Sequence, residues 1–294
     1  MFQKQKELQG HAGAIYTCTF DGDYLYTGSA DKFVTRWNLD AGTQDKFAIR
    51  FETPVYSIEI FKHLLFVGLA DGALHVFDIQ KRIELKHFTQ HKEAIFSISI
   101  NELKHQMYVG DALGNLSIWD VDTLDLLLYL PLDMGKIRDI QPSADGAFFV
   151  LAGQDETIRV FDTDFFNEVS TISAHREGAT AVLFDPSNSE QLISGGKDAM
   201  LRKWNWKTGS LLLEIPAHNF AVYRLISIGN HIVSISRDKT VKIWNLELNF
   251  IKRLDHKEGA HRHSVNDAVR LNDTLFASVG DDKRILLWEQ RAEG

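Results

Sequence analysis

Along the whole chain, short runs alternate apolar and polar residues with a period of two and are broken every few residues by turn chemistry. That pattern predicts strands, and no helical period of useful length interrupts it. The alternation is clearest ahead of seven aromatic positions: Trp37, Phe77, Trp119, Phe161, Trp204, Trp244 and Trp288. Three residues before them stand Val34, Leu74, Leu116, Ile158, Leu201, Val241 and Ile285, all apolar. The aromatic anchors recur at intervals of 40 to 44 residues, and all but one are followed at once by Asp or Asn. Six have an aspartate six positions earlier: Asp31, Asp71, Asp155, Asp198, Asp238 and Asp282. Asp suits a tight turn because its carboxylate accepts from nearby backbone N–H groups. A period of this length, held from end to end, fits the blade of a propeller. A repeated unit is scaffold, so specificity has to lie in departures from it.

The repeat resembles the WD-repeat family, and the resemblance covers essentially the whole chain. The family's Gly-His pair is matched by Gly10-His11, Gln90-His91, Ala174-His175, Ala217-His218 and Ala260-His261, each 26 to 29 residues before its Trp. The resemblance implies an all-β chain, a seven-bladed β-propeller of four-stranded antiparallel blades, as one domain over residues 1–294. After Trp288 only six residues remain, too few for the last outer strand. Gln3 to Gln9 is expected to supply it, since Lys6-Glu7-Leu8 resembles Ile83-Glu84-Leu85 of an outer strand. The N-terminal strand would then close the ring in blade seven and leave no open edge there.

Four blades carry a His, a hydroxyl, an Asp and a Trp in register. They are His11, Thr27, Asp31 and Trp37; His175, Ser194, Asp198 and Trp204; His218, Ser234, Asp238 and Trp244; and His261, Ser278, Asp282 and Trp288. A hydrolase reading would see Ser-His-Asp triads here. The resemblance implies instead a buried network from Asp to His to hydroxyl to indole N–H, in which each polar group satisfies the next. Where the anchor is Phe77 or Phe161, the hydroxyl positions become Val67 and Leu151, and the His positions become Phe51 and Asp133. Partners vanish together, as a satisfied network requires. Blade three is mixed: it keeps His91 and Trp119 but has Val109 and Leu113 at the other two positions, which leaves its network open.

Composition narrows the function classes. A net charge of −8 and a pI near 5.8 argue against a dominant nucleic-acid footprint. Cys18 is the single cysteine, so no intrachain disulfide forms, and it is expected to be a small buried residue of an inner strand. The N-terminus has no apolar leader core, and the run Leu126 to Leu132 is too short to span a bilayer. A cytoplasmic setting, no membrane association and a monomer are the expectations. His256, His261, His263 and Asp267 could form a metal site. Against that, His261 belongs to its quartet and its neighbours to an exposed loop, so neither metal nor cofactor is expected. No nucleophile elbow, phosphate loop or cysteine cluster is present.

In propellers of this family, partner-facing side chains flank a bulge at the start of the innermost strand. Five residues after the His position stand Tyr16, Tyr56, Phe96, Arg138, Thr180, Tyr223 and Asn266. Three residues after it, Ala14, Pro54 and Ala94 give way to Lys136 in blade four; before the turn Asp stand Lys197, Arg237 and Asp281 in the last three blades. Tyr16, Tyr56 and Phe96 thus form an aromatic arc over small residues, and Lys136, Arg138, Lys197 and Arg237 a cationic arc with Tyr223 among them. Aromatics and Arg carry interface hot spots. The expectation is a non-enzymatic scaffold that binds a peptide or partner domain, acidic in character, on its top face. The alternatives are an obligate subunit of a larger assembly, with its apolar patch on the blade edges or bottom face, and a propeller enzyme. The enzyme would need convergent carboxylates or histidines at the channel mouth, where the predicted positions offer only Asp281.

Overall fold

The alternating runs fold as 28 strands in seven four-stranded antiparallel sheets, in a computed structural model that describes residues 1–291. The last three residues of the expected domain, 292–294, lie outside the description. Six blades are consecutive meanders; blade one, for example, runs Ile15–Phe20, Tyr24–Ser29, Phe33–Asn38 and Thr43–Arg50 from the channel outward. The seventh is composite. Val265–Arg270, Leu275–Gly280 and Arg284–Gln290 are completed by Phe2–Gln9, which pairs with Arg284–Gln290 and buries Phe2 and Leu8. The expected closure by the N-terminal strand is the observed one.

Burial follows strand position. The second strand of each blade is almost wholly buried, as in Leu64–Leu69, because both its faces meet neighbouring blades. The outer strands are exposed on alternate residues. Small residues let the blades approach: a Cβ on Gly28 would lie 2.5 Å from Val55 Cγ1 of the next inner strand. Gly68 stands in the same relation to Ile95.

The four complete quartets are connected as expected. In blade one, Trp37 Nε1 donates to Thr27 Oγ1 at 2.8 Å; His11 Nε2 lies 2.8 Å from that oxygen, and His11 Nδ1 lies 2.8 Å from Asp31 Oδ2. The same links join blade five, blade six and blade seven at 2.7 to 3.0 Å. The aspartate also holds the turn, since Asp31 accepts from the N–H groups of Ala12 and Phe33. Burial lowers the pKa of His11, His175 and His218. Burial also opposes charge on Asp238, yet the hydrogen bonds from His218 and the Asn219 N–H hold its carboxyl well below the usual range.

Blade three answers what the sequence left open. Its network is complete, but it uses Ser117 and Asp111 rather than positions 109 and 113. Trp119 Nε1 donates to Ser117 Oγ, 2.7 Å from His91 Nε2, and His91 Nδ1 is 2.8 Å from Asp111 Oδ2. Register explains the substitution: Ser117 pairs directly across from Val109, so it delivers a hydroxyl to the same level from the adjacent strand. Blade one contains both versions, because Thr35 faces Thr27 and its Oγ1 also lies 2.9 Å from His11 Nε2. In blades two and four apolar packing replaces the network. Phe51 meets Phe77 edge-on at 5.9 Å. Asp133 is exposed, and the adjacent Met134 takes the interior position.

Candidate functional site

Every innermost strand opens with a bulge, and the residue skipped by the pairing is always the one at the fifth position. The register jumps from Ile15 to Thr17, Val55 to Ser57, Ile95 to Ser97 and Ile137 to Asp139. It jumps likewise from Ala179 to Ala181, Val222 to Arg224 and Val265 to Asp267. A bulge releases its extra residue from the pleat and re-aims its side chain. Here that turns Tyr16, Tyr56, Phe96, Arg138, Thr180, Tyr223 and Asn266 toward one opening.

The opening is a cavity of about 470 Å³ at the channel mouth, and it gathers seven of the eight residues expected to bind a partner: Tyr16, Tyr56, Phe96, Lys136, Arg138, Tyr223 and Arg237. Lys197 does not line it and stands exposed outside. The two arcs adjoin rather than stand apart. Tyr16 and Tyr56 pack at 5.1 Å, Tyr56 stacks on Phe96 at 5.2 Å, and the Arg138 guanidinium lies 4.5 Å from the Phe96 ring centre. Lys136 Nζ approaches the same ring at 5.4 Å. The rings therefore occupy one another's faces, and room for a ligand lies in the mouth itself rather than between them.

Electrostatically the mouth runs against the chain. Among the described residues Lys136, Arg138, Lys197 and Arg237 make no ion pair and no side-chain hydrogen bond. Burial lowers the pKa of the Arg138 guanidinium from its usual value, and no carboxylate offsets it. Asp281, the one acidic residue at the rim, accepts from Asn266 Nδ2 at 2.8 Å. Sequence reasoning missed Phe220, an exposed aromatic whose ring lies 5.8 Å from the Arg237 guanidinium.

Deeper in the channel lies a cluster that sequence reasoning also missed. Arg224 Nη1 donates to Asp139 Oδ1 at 2.5 Å, and its Nε lies 3.5 Å from Asp267 Oδ1. Glu59 accepts from Thr19 Oγ1 and the Ile60 N–H. Burial raises the carboxyls of Glu59 and Asp267, whereas the surrounding carboxylates hold Arg224 protonated against the burial that opposes its charge. Only about 80 Å³ of space adjoins this cluster. Three of the four sit one residue past a bulge, where the other repeats have Thr17, Ser57, Ser97 and Ala181, so aligning that position around the ring would have exposed the departures. The residues weighed as a metal site do not converge. Asp267 belongs to this cluster, His261 to its quartet, and His256 and His263 are exposed. Cys18 is buried in the inner strand, and its N–H donates to Asp267.

The family model described as WD domain, G-beta repeat matches residues 2–38, 166–205 and 209–245. Each match ends with a Trp-Asn pair and begins with an outer strand or the turn before one, so the sequence repeat is offset by one strand from the blade. Three relatives illustrate the likeness. The U3 small nucleolar RNA-associated protein 15 homolog of Gallus gallus is 27% identical over 62% of this chain and 35% of its own. The U3 small nucleolar RNA-associated protein 21 of Saccharomyces cerevisiae is 25% identical over 85% of this chain and 26% of its own. The eukaryotic translation initiation factor 3 subunit I of Nematostella vectensis is 26% identical over 65% and 62%. The chain thus spans well under half the length of the first two. Three stretches of the chain thus match the WD-repeat model, and the seven four-stranded blades with their Trp-anchored networks give the whole chain an arrangement similar to that of the WD-repeat β-propellers.

Proposed function

We propose that this propeller is a non-catalytic interaction scaffold that receives an acidic segment of a partner protein across the mouth of its channel. The observation that carries the reading is the set of unpaired cations at the mouth, Lys136, Arg138 and Arg237, beside the Tyr16–Tyr56–Phe96 stack. A guanidinium left without a carboxylate is free to take a carboxylate or phosphate bidentately. The seven blades hold these side chains on a rigid frame, so binding loses little backbone freedom. One relative is named a subunit of an initiation factor, which is consistent with work inside an assembly. Against catalysis stands the engagement of the channel carboxylates by Arg224 and backbone N–H groups. A cytoplasmic location belongs to the same reading and is supported by the lone, unpaired thiol.

Capture from the native source with wild type and with Arg138→Glu/Arg237→Glu tests it. Partners held by the mouth are lost from the variant. With a purified partner, charge reversal slows association and flattens its salt dependence. Tyr56→Ala or Phe96→Ala speeds dissociation, by about 2 kcal/mol if these are hot spots. Binding indifferent to all four substitutions overturns the reading.

A second reading, an obligate subunit, is favoured by apolar outer strands: Leu126, Leu127, Leu211, Leu212, Phe250 and Ile251 are all exposed. A monodisperse monomer on sedimentation of the isolated protein speaks against it.

A further inference from the structure

The seven aromatic anchors are not equally covered. Six are 0–6% exposed, whereas Phe77 in blade two is only half-buried. Two features combine to cause this. Phe is smaller than the Trp used in five other blades, and the turn that follows carries no apolar plug; blades one and five, with Gly42 and Gly209 at that place, lack the plug too but have the larger Trp37 and Trp204 as anchors. In blade three and blade four the left-handed residue five positions past the anchor is apolar; Leu124, at φ 60°, packs on the Trp119 cluster, and Phe166, at φ 59°, on the Phe161 cluster. In blade six Leu248, four positions past Trp244 and at φ 61°, packs on the Trp244 cluster in the same way. In blade two the residue five positions past Phe77 is Arg82, at φ 58°, and it is exposed.

The smaller anchor and the absent plug together leave a cavity of about 370 Å³ between the outer parts of blades one and two. Its floor is Phe47, Ile49, Phe77 and Ile79. Its edge carries Lys46, Arg50 and Arg82, none of which makes an ion pair or side-chain hydrogen bond among the described residues. The two nearby acids are occupied: Asp78 accepts from backbone N–H groups and pairs with Lys81, and Glu84 meets His75 at 2.7 Å. Five consecutive residues, Lys46 to Arg50, line one wall, so the strand edge itself borders the cavity, not merely one face of the strand. That strand, Thr43–Arg50, pairs on one side only, with Phe33–Asn38, and keeps its other row of backbone groups free.

We propose that this groove is a second docking site, separate from the mouth, for an extended acidic segment of a partner protein that inserts one bulky apolar side chain against Phe77. The unplugged space takes the apolar side chain, the free strand edge favours an extended backbone, and three unpaired cations on a chain of net charge −8 select acidic flanks. The reading does not depend on the mouth being used.

The test is a random-peptide display selection on the wild-type protein, followed by binding of the enriched peptides to variants. Arg82→Leu plugs the cavity as Leu124 does in blade three, and Arg82→Glu or Lys46→Glu/Arg50→Glu reverses the edge charge without plugging it. Unchanged melting temperatures establish that each variant is folded. The expected result is a family of peptides with one large apolar residue among Asp and Glu. Their affinity falls about tenfold or more on plugging and on charge reversal, and is unchanged by Arg138→Glu. Binders that tolerate Arg82→Leu, that depend on Arg138 instead, or that lack acidic residues overturn the proposal. A concentration-dependent dimer abolished by Arg82→Glu also overturns it, by assigning the groove to a second copy of the chain.

Discussion

Asp139 of blade four and Arg224 of blade six meet across the central channel, Oδ1 and Nη1 2.5 Å apart, although 85 residues separate them in sequence. Asp139 Oδ2 also accepts from the Val182 N–H of blade five, and Arg224 reaches on to Asp267 of blade seven, so one ion pair ties four blades. Replacing Arg224 by Met leaves Asp139, Asp267 and Glu59 without their cation. The expected cost is about 2–3 kcal/mol, below the roughly 3–5 kcal/mol for breaking one side of a fully buried pair, because the Arg224 side chain is 29% exposed. A denaturant midpoint equal to wild type refutes the tie. The double replacement Arg224→Met/Asp139→Leu recovers part of the loss.

Blade three offers a cleaner test of the networks than the blades whose sequence is regular. Asp111→Ala leaves His91 Nδ1 and the turn N–H groups of Leu113 and Asn115 without their acceptor. A loss of about 1–3 kcal/mol is expected. Leu113→Ala, at the position where the other repeats carry Asp, removes an exposed side chain and leaves the midpoint nearly unchanged. If the two losses are equal, the network assigned to blade three is wrong.

Removing residues 1 to 9 takes away the strand paired to Arg284–Gln290 together with the buried Phe2 and Leu8. The truncated protein is expected to melt lower and to self-associate through the exposed edge. Monomeric behaviour with an unchanged melting temperature contradicts the closure.

Acid weakens the fold in two stages. Burial puts His11, His175 and His218 below the ordinary 6.5, so the unfolded chain binds more protons than the folded one once pH drops below about 6.5, and stability falls from there. Asp198, Asp238 and Asp282 are held below their ordinary 3.8, so their contribution persists to about pH 4 and is lost beneath it. Glu59 and Asp267, raised by burial, act with the opposite sign and blunt the second stage. Denaturant midpoints taken across pH check this. A flat profile between about pH 7 and 5 is incompatible with buried neutral imidazoles.

By itself the sequence determined what repeats. A period of 40 to 44 residues is legible because every blade solves the same local problem, one turn Asp and one anchor per unit, and the bulge residues follow by counting from the His. Four quartets were legible for the same reason. Tertiary structure decided what depends on neighbours in space. Ser117 replaces a hydroxyl at position 109 because antiparallel pairing sets the two side by side, a relation that a column of aligned repeats does not display. The joining of the aromatic and cationic arcs through Arg138 depends on how far a guanidinium reaches over Phe96. The channel cluster exists only because ring closure brings inner strands from distant repeats to one axis, where burial forces their charges to find one another. The groove at Phe77 follows from a smaller anchor and a missing side chain, Arg82 where Leu124 or Phe166 would plug it, and a void is visible only once its walls are assembled.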